Sequence, residues 1–143
     1  MKILLVGEFS RLHNSLKEGL IALGHDVFLV GSGDQFKNYP VDANIDSIVS
    51  NKGLPFFIRK VVFRFTKKDI AHFEIAHRFK KILPKLKDYD VVQLINEDAL
   101  TIHPKKQIEL LQQLKNQNKS MFLLCCGDDY TTVSYANDKK YKY

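Results

Sequence analysis

Three short clusters carry side chains whose types and spacing could do chemistry. Gly7-Glu8-Phe9-Ser10 sets a carboxylate and a hydroxyl directly behind an apolar run. Asn96-Glu97-Asp98 offers carboxylates that could hydrogen-bond sugar hydroxyls or act as acid and base, or equally form a solvated turn that caps the next helix. Gly127-Asp128-Asp129 sets two carboxylates side by side, a pair able to hold a divalent cation or simply to make a turn. No His or Cys cluster completes a metal centre, and no bound metal is expected. His103 could face a ligand or merely begin a helix, and His13, His72 and His77 read as surface or satisfied core histidines. Cys125 and Cys126 are neighbours. In a strand they point to opposite faces, which argues against a disulfide, and they lack partners at zinc-ligand spacing.

The phosphate-binding signatures are missing. After the first apolar run there is no G-x-G-x-x-G, and Phe9 and Arg11 stand where a pyrophosphate would need close backbone approach. No G-x-x-x-x-G-K-[ST] occurs either. A tightly bound dinucleotide or nucleoside triphosphate is therefore not expected, although a sugar or anion could still sit at the start of the first helix. Charge points to a different region. Asn51 to Asp90 holds 11 Lys/Arg against 4 Asp/Glu, a net of +7, while the rest of the chain holds 11 against 12, a net of −1. Within that segment Phe56, Phe57, Ile58, Val61 and Phe65 alternate with Arg59, Lys60, Arg64, Lys67 and Lys68. Three readings fit: a helix lying on an anionic membrane surface, a core-facing helix pair with a solvated basic face, or a phosphate-contacting nucleic-acid surface. No DNA- or RNA-binding motif accompanies the charge, so nucleic acid is not the expected partner.

These residues need elements to hold them. Lys2 to Val6 reads as a buried parallel strand ending at Gly7. Ser10 is placed to cap a helix whose Leu12, Leu16, Leu20 and Leu23 form one face, with Gly24 beyond its end. Val27 to Val30 is a second strand, closed by Gly31-Ser32-Gly33. Asp34 to Asn44 is loop, and Ile45 to Val49 reads as a third strand. Leu54 to Leu86 splits into two helices at Thr66-Lys67-Lys68-Asp69, which has the form of a capping box. Ile58, Val62 and Phe65 share one stripe, and Phe73, Ala76, Phe79 and Leu83 share the other. Asp90 to Ile95 is a strand. Pro104 opens a helix to about Gln117, with Ile108, Leu111 and Leu114 inward. Ser120 to Cys126 is the last strand.

This order predicts a Rossmann-like, doubly wound parallel sheet in three layers, with strand order 3-2-1-4-5. Ligands bind such sheets beyond the carboxyl ends of the strands. That rule selects the loops Gly7–His13, Gly31–Asp34, Asn96–Thr101 and Gly127–Thr132. The 143 residues suffice for one domain. The opening MKILLVGEF is too short in apolar residues and too soon charged for a secretory signal, so the chain reads as cytoplasmic.

The opening MKILLVGEFS and the helix-to-strand junction Leu23-Gly24-His25-Asp26-Val27 resemble the amino terminus of GT-B glycosyltransferases of the retaining, family-four-like kind. Leu86 to Asn96 looks like their "kyDvvhl" strand, and Leu123 to Tyr130 looks like the next strand and its loop. The resemblance spans nearly the whole chain. It implies the acceptor-side, amino-terminal half of a GT-B architecture. In that arrangement a nucleotide-sugar serves as co-substrate, a sugar or lipid-linked molecule is the acceptor, and a carboxyl-terminal donor-binding domain lies outside these 143 residues. The first domain itself would be incomplete, and the chain alone would be inactive. Gly7, Glu8, Phe9, Ser10, Asn96, Glu97, Gly127 and Asp128 are the positions that would meet acceptor or the interdomain cleft. The family's double glycine in the first loop is absent, so donor-phosphate contact there is not implied. Basic amphipathic helices of such first domains often bind membranes at the inner face, which matches Leu54 to Lys68, with Arg59, Lys60, Arg64, Lys67 and Lys68 as the facing cations. The alternative is a stand-alone flavodoxin-like binding or regulatory module.

Overall fold

The chain alternates strand and helix, and the strands meet as one parallel sheet. The computed structural model describes residues 1–34, 37–125 and 130–137. Strands β1 (Lys2–Val6), β2 (Asp26–Gly31), β3 (Ala43–Asn44), β4 (Val91–Leu94) and β5 (Ser120–Leu123) lie in the order β3-β2-β1-β4-β5, every neighbouring pair parallel. This is the expected Rossmann-like order. It follows from right-handed crossovers, which carry the chain to one side of β1 and then to the other.

The helices are α1 (Leu12–Ala22), α2 (Gly53–Thr66), α3 (Ala71–Ile82), α4 (Pro104–Asn116) and α5 (Tyr130–Ala136). β1 is central, and its alternation divides the core. Leu4 and Val6 join Phe79, Leu83, Leu110 and Leu114 beneath α3 and α4. Ile3 and Leu5 join Val27 and Leu29 beneath Leu16 and Leu20 of α1. Each such aliphatic side chain contributes about 1.5–3 kcal/mol when fully buried.

Several sequence expectations shift. The third strand is Ala43–Asn44, not Ile45 to Val49. The Asn44 carboxamide oxygen accepts the Asp46 N–H at 2.7 Å, and the chain turns away from the sheet. Ser10 does not cap α1; it and Arg11 are both left-handed, at φ 50° and 66°. The inner face of α1 is rotated as well, since His13 and Asn14 are buried while Leu12 and Leu23 face outward. Gly24 does end that helix (φ 82°), with the His25 and Gly24 amides donating to the Leu20 and Ile21 carbonyls. The helix break at Thr66 to Asp69 is real, but Asp69, not Thr66, receives an α3 amide, from Ala71 at 2.9 Å. The Thr66 hydroxyl donates back to the Val62 carbonyl instead. Phe73 and Ile108 face solvent, and Ile75, Gln107 and Leu110 take the inward positions. β5 ends at Leu123.

Candidate functional site

The first loop proves to be sealed by the protein itself. Gly7 sits at φ 87°, and a Cβ there would lie 2.4 Å from Ile95 Cγ2 and 2.9 Å from the Ala99 carbonyl oxygen. Only glycine lets β1 close so tightly on the segment after β4. Glu8 folds back beneath α1 and is buried. Its Oε2 accepts the Asn14 backbone N–H at 2.8 Å and the Asn14 side-chain amide as well. The helix amino terminus, which would favour an anion, is thus answered by the chain's own carboxylate. His13 is wholly buried, and its Nδ1 donates to the Gly7 carbonyl at 2.7 Å. Burial holds the imidazole below its ordinary pKa, partly opposed by that bond and by Glu8.

Phe9 and Ser10 remain at the surface. The Ser10 N–H donates to Asp34 Oδ2 at 2.8 Å, and Lys37 Nζ donates to the same oxygen at 2.8 Å. The β1 loop is therefore tied to the β2 loop. After β4, Asn96 Oδ1 accepts the Asp98 N–H at 3.1 Å, which makes a tight turn, and Glu97 is exposed. Gln107 of α4 fastens this loop, accepting the Leu100 N–H at 3.0 Å. Gly127, Asp128 and Asp129 lie outside the described residues, as does Cys126. Among the described residues no cluster suited to a metal ion occurs.

The structure opens a polar cavity of about 480 Å³ at the carboxyl end of the sheet. Ser32 reaches it from beyond β2, and Asp46, Ser47 and Asn51 from beyond β3. Thr101 lines it from the loop after β4, Asp69 and His72 from the start of α3, and Arg59 from α2. Its size is that of a small-molecule site. Ser32 and Thr101 come from two of the loops selected from sequence, and among the described residues Arg59 is the one individually named site candidate on this wall. Arg59 Nε and Nη2 grip the two oxygens of Asp69 at 2.7 and 2.6 Å, and Nη1 donates to Asn51 Oδ1. The Asp69 carboxyl, although burial raises it, is held below its usual range by Arg59 and the Ala71 amide. Ser47 is 4% exposed yet lines the cavity. Thr101 adopts φ 54°, an uncommon conformation for a β-branched residue.

Helix α2 covers one side of this cavity and buries none of its residues. Arg59 is its inward member, which corrects the expectation that Arg59 faces outward. Leu54, Phe57, Ile58, Val61 and Phe65 recur at helical spacing on the outer face, with Leu54 at 72% and Phe65 at 80% exposure. Lys60, Arg64, Lys67 and Lys68 are exposed beside them. The Lys60 ammonium lies 4.4 Å from the Phe56 ring centroid. The helix is anchored from below. Glu74 of α3 accepts the backbone N–H groups of Ile48 (2.8 Å), Val49 (3.0 Å) and Ser50 (2.9 Å), and the Ser50 hydroxyl at 2.8 Å. Those bonds outweigh desolvation and bring its pKa down to about 2.

No helix among the described residues is long and apolar enough to cross a membrane. The chain matches no family model, no curated protein and no solved structure.

Proposed function

We propose that this chain is the acceptor-side domain of a glycosyltransferase that moves a sugar from a nucleotide-sugar to a sugar or lipid-linked acceptor. The observation that carries the reading is the polar cavity beyond β2, β3 and β4, set beside a first helix whose amino terminus is filled by Glu8. A domain that cradled the donor diphosphate would leave that helix end open. Here the hydroxyl, amide and carboxylate groups gather at the neighbouring cavity, the chemistry that hydrogen-bonds sugar hydroxyls. The resemblance carried by Leu23 to Val27 and by Leu86 to Asn96 supports the same reading. Donor binding then belongs to a second domain, and the 143 residues alone do not transfer sugar.

The test is transfer of labelled sugar from a panel of nucleotide-sugars, measured with this chain alone and joined to whatever its full reading frame encodes beyond it. Transfer only by the joined protein is expected. Transfer by this chain alone, or none by the joined protein with any donor, overturns the reading.

A peripheral position at an anionic membrane surface is part of the proposal, supported by the outward apolar stripe of α2 and its flanking cations. Each such cation near an anionic surface contributes about 1 kcal/mol. Co-sedimentation with phosphatidylglycerol vesicles tests it. Binding should weaken with salt and fall at least roughly 100-fold in a Lys60→Glu, Arg64→Glu, Lys68→Glu variant. Unchanged binding, or equal binding to uncharged vesicles, counts against it.

A further inference from the structure

The cavity's polar groups are not equally free, and the difference selects a ligand. Arg59, its cation, is chelated by Asp69 and bonded to Asn51. Asn51 in turn donates to the Ser47 carbonyl at 2.7 Å. These three side chains largely satisfy one another. Asp46 is different. Its Oδ1 accepts the Ser47 N–H at 2.7 Å, and among the described residues it forms no ion pair within 4 Å. The imidazole of His72 likewise lines the cavity with no hydrogen bond to the described residues. The capacity left over is therefore a carboxylate, an imidazole and loop hydroxyls, with no unengaged guanidinium.

We infer that this cavity binds an uncharged or amine-bearing sugar ring and rejects phosphorylated and carboxylated sugars. Vicinal hydroxyls can donate to Asp46 and exchange hydrogen bonds with Ser47 and His72. An ammonium group gains an ion pair with Asp46. A phosphate or carboxylate would face that carboxylate, and the Arg59 charge that could offset it is already shared with Asp69 and reaches Asp46 as well. The inference names the acceptor class for the proposed transferase and rests on that reading only for the role of acceptor.

The test is a titration of the 143-residue chain, followed by backbone amide NMR, with glucose, glucosamine, glucose 6-phosphate and glucuronate. Saturable shifts at Ser47, Asn51 and His72 are expected with glucose and glucosamine, the latter roughly fivefold tighter through one partly solvated ion pair. The Asp46→Asn variant keeps the oxygen that accepts from Ser47. In it the advantage of glucosamine should vanish while glucose still binds, a change that a merely structural role for Asp46 would not produce. Glucose 6-phosphate or glucuronate binding as tightly as glucose, or no saturable shift with any of the four, overturns the inference. Its failure is separable from that of the transferase reading. Transfer by the joined protein to phosphorylated acceptors leaves the transferase and removes this inference. Saccharide binding here with no transfer by the joined protein does the reverse.

Discussion

Replacing Glu74 with Gln should weaken the fold by a pH-dependent amount, because one carboxylate organises the whole approach to α2. In the native protein its two oxygens accept four hydrogen bonds, three from consecutive backbone amides and one from the Ser50 hydroxyl. A neutral carboxamide has one acceptor oxygen, and its NH2 would face an amide donor. The pKa provides the magnitude. The group falls from 4.5 to about 2 on folding. That difference sets an upper bound of about 3 kcal/mol on the stability at neutral pH, which solvent screening of this only partly buried carboxylate reduces. The folded value lies below the unfolded one, so this stability is fully present above pH 4.5 and is lost as pH falls toward 2. Roughly three-fifths of it should be gone by pH 3. Urea unfolding of both proteins at pH 7 and at pH 3 reads the effect. The gap between them should be about 2 kcal/mol at pH 7 and should shrink markedly at pH 3. Hydrogen exchange should quicken first at Ile48 to Ser50 and then through α2. An equal gap at both pH values would refute the argument, since it would mean that the carboxylate charge is not what holds the loop.

Other substitutions probe the site's surroundings. Gly7→Ala forces a Cβ to within 2.4 Å of Ile95 at a left-handed φ, and should cost on the order of 3 kcal/mol, read as a lower urea midpoint at unchanged slope. His13→Leu should remove a component of the acid sensitivity: the buried imidazole's pKa lies below 6.5, so its contribution is present above pH 6.5 and is lost below it. Stability measured between pH 7 and pH 5 should therefore fall more steeply in the native protein than in this variant. Phe65→Ser, at a side chain 80% exposed, should change unfolding free energy by less than about 0.5 kcal/mol while reducing vesicle binding; a large loss of stability would show that α2 packs more closely than its exposure indicates.

The sequence alone determined the layered α/β plan. The apolar runs Lys2 to Val6 and Val27 to Val30, and Gly24 between them, mark a crossover whose handedness physics allows only one way. Strand order followed from that, and the carboxyl-end loops followed from strand order. The missing fingerprint glycines argue from sequence against a phosphate cradle, and in the folded chain Glu8 occupies the helix end that a phosphate would use. Local rules failed where tertiary partners took over. The Ile45 to Val49 run looks like a strand, but Glu74, more than twenty residues away, accepts its later amides and turns it into the approach to α2. The leucine stripe of α1 rotated because Glu8 and Gly7 draw Asn14 and His13 inward. Periodicity shows that a helix has an apolar face, not whether a neighbour exists to cover it. The exposure of Leu54, Phe57 and Phe65 was therefore visible only in the folded chain. The cavity has the same character. Ser32, Asp46, Arg59, His72 and Thr101 share no spacing in sequence and come from separate segments. Packing of α2 and α3 against the carboxyl edge of the sheet brings them together and pairs Arg59 with Asp69.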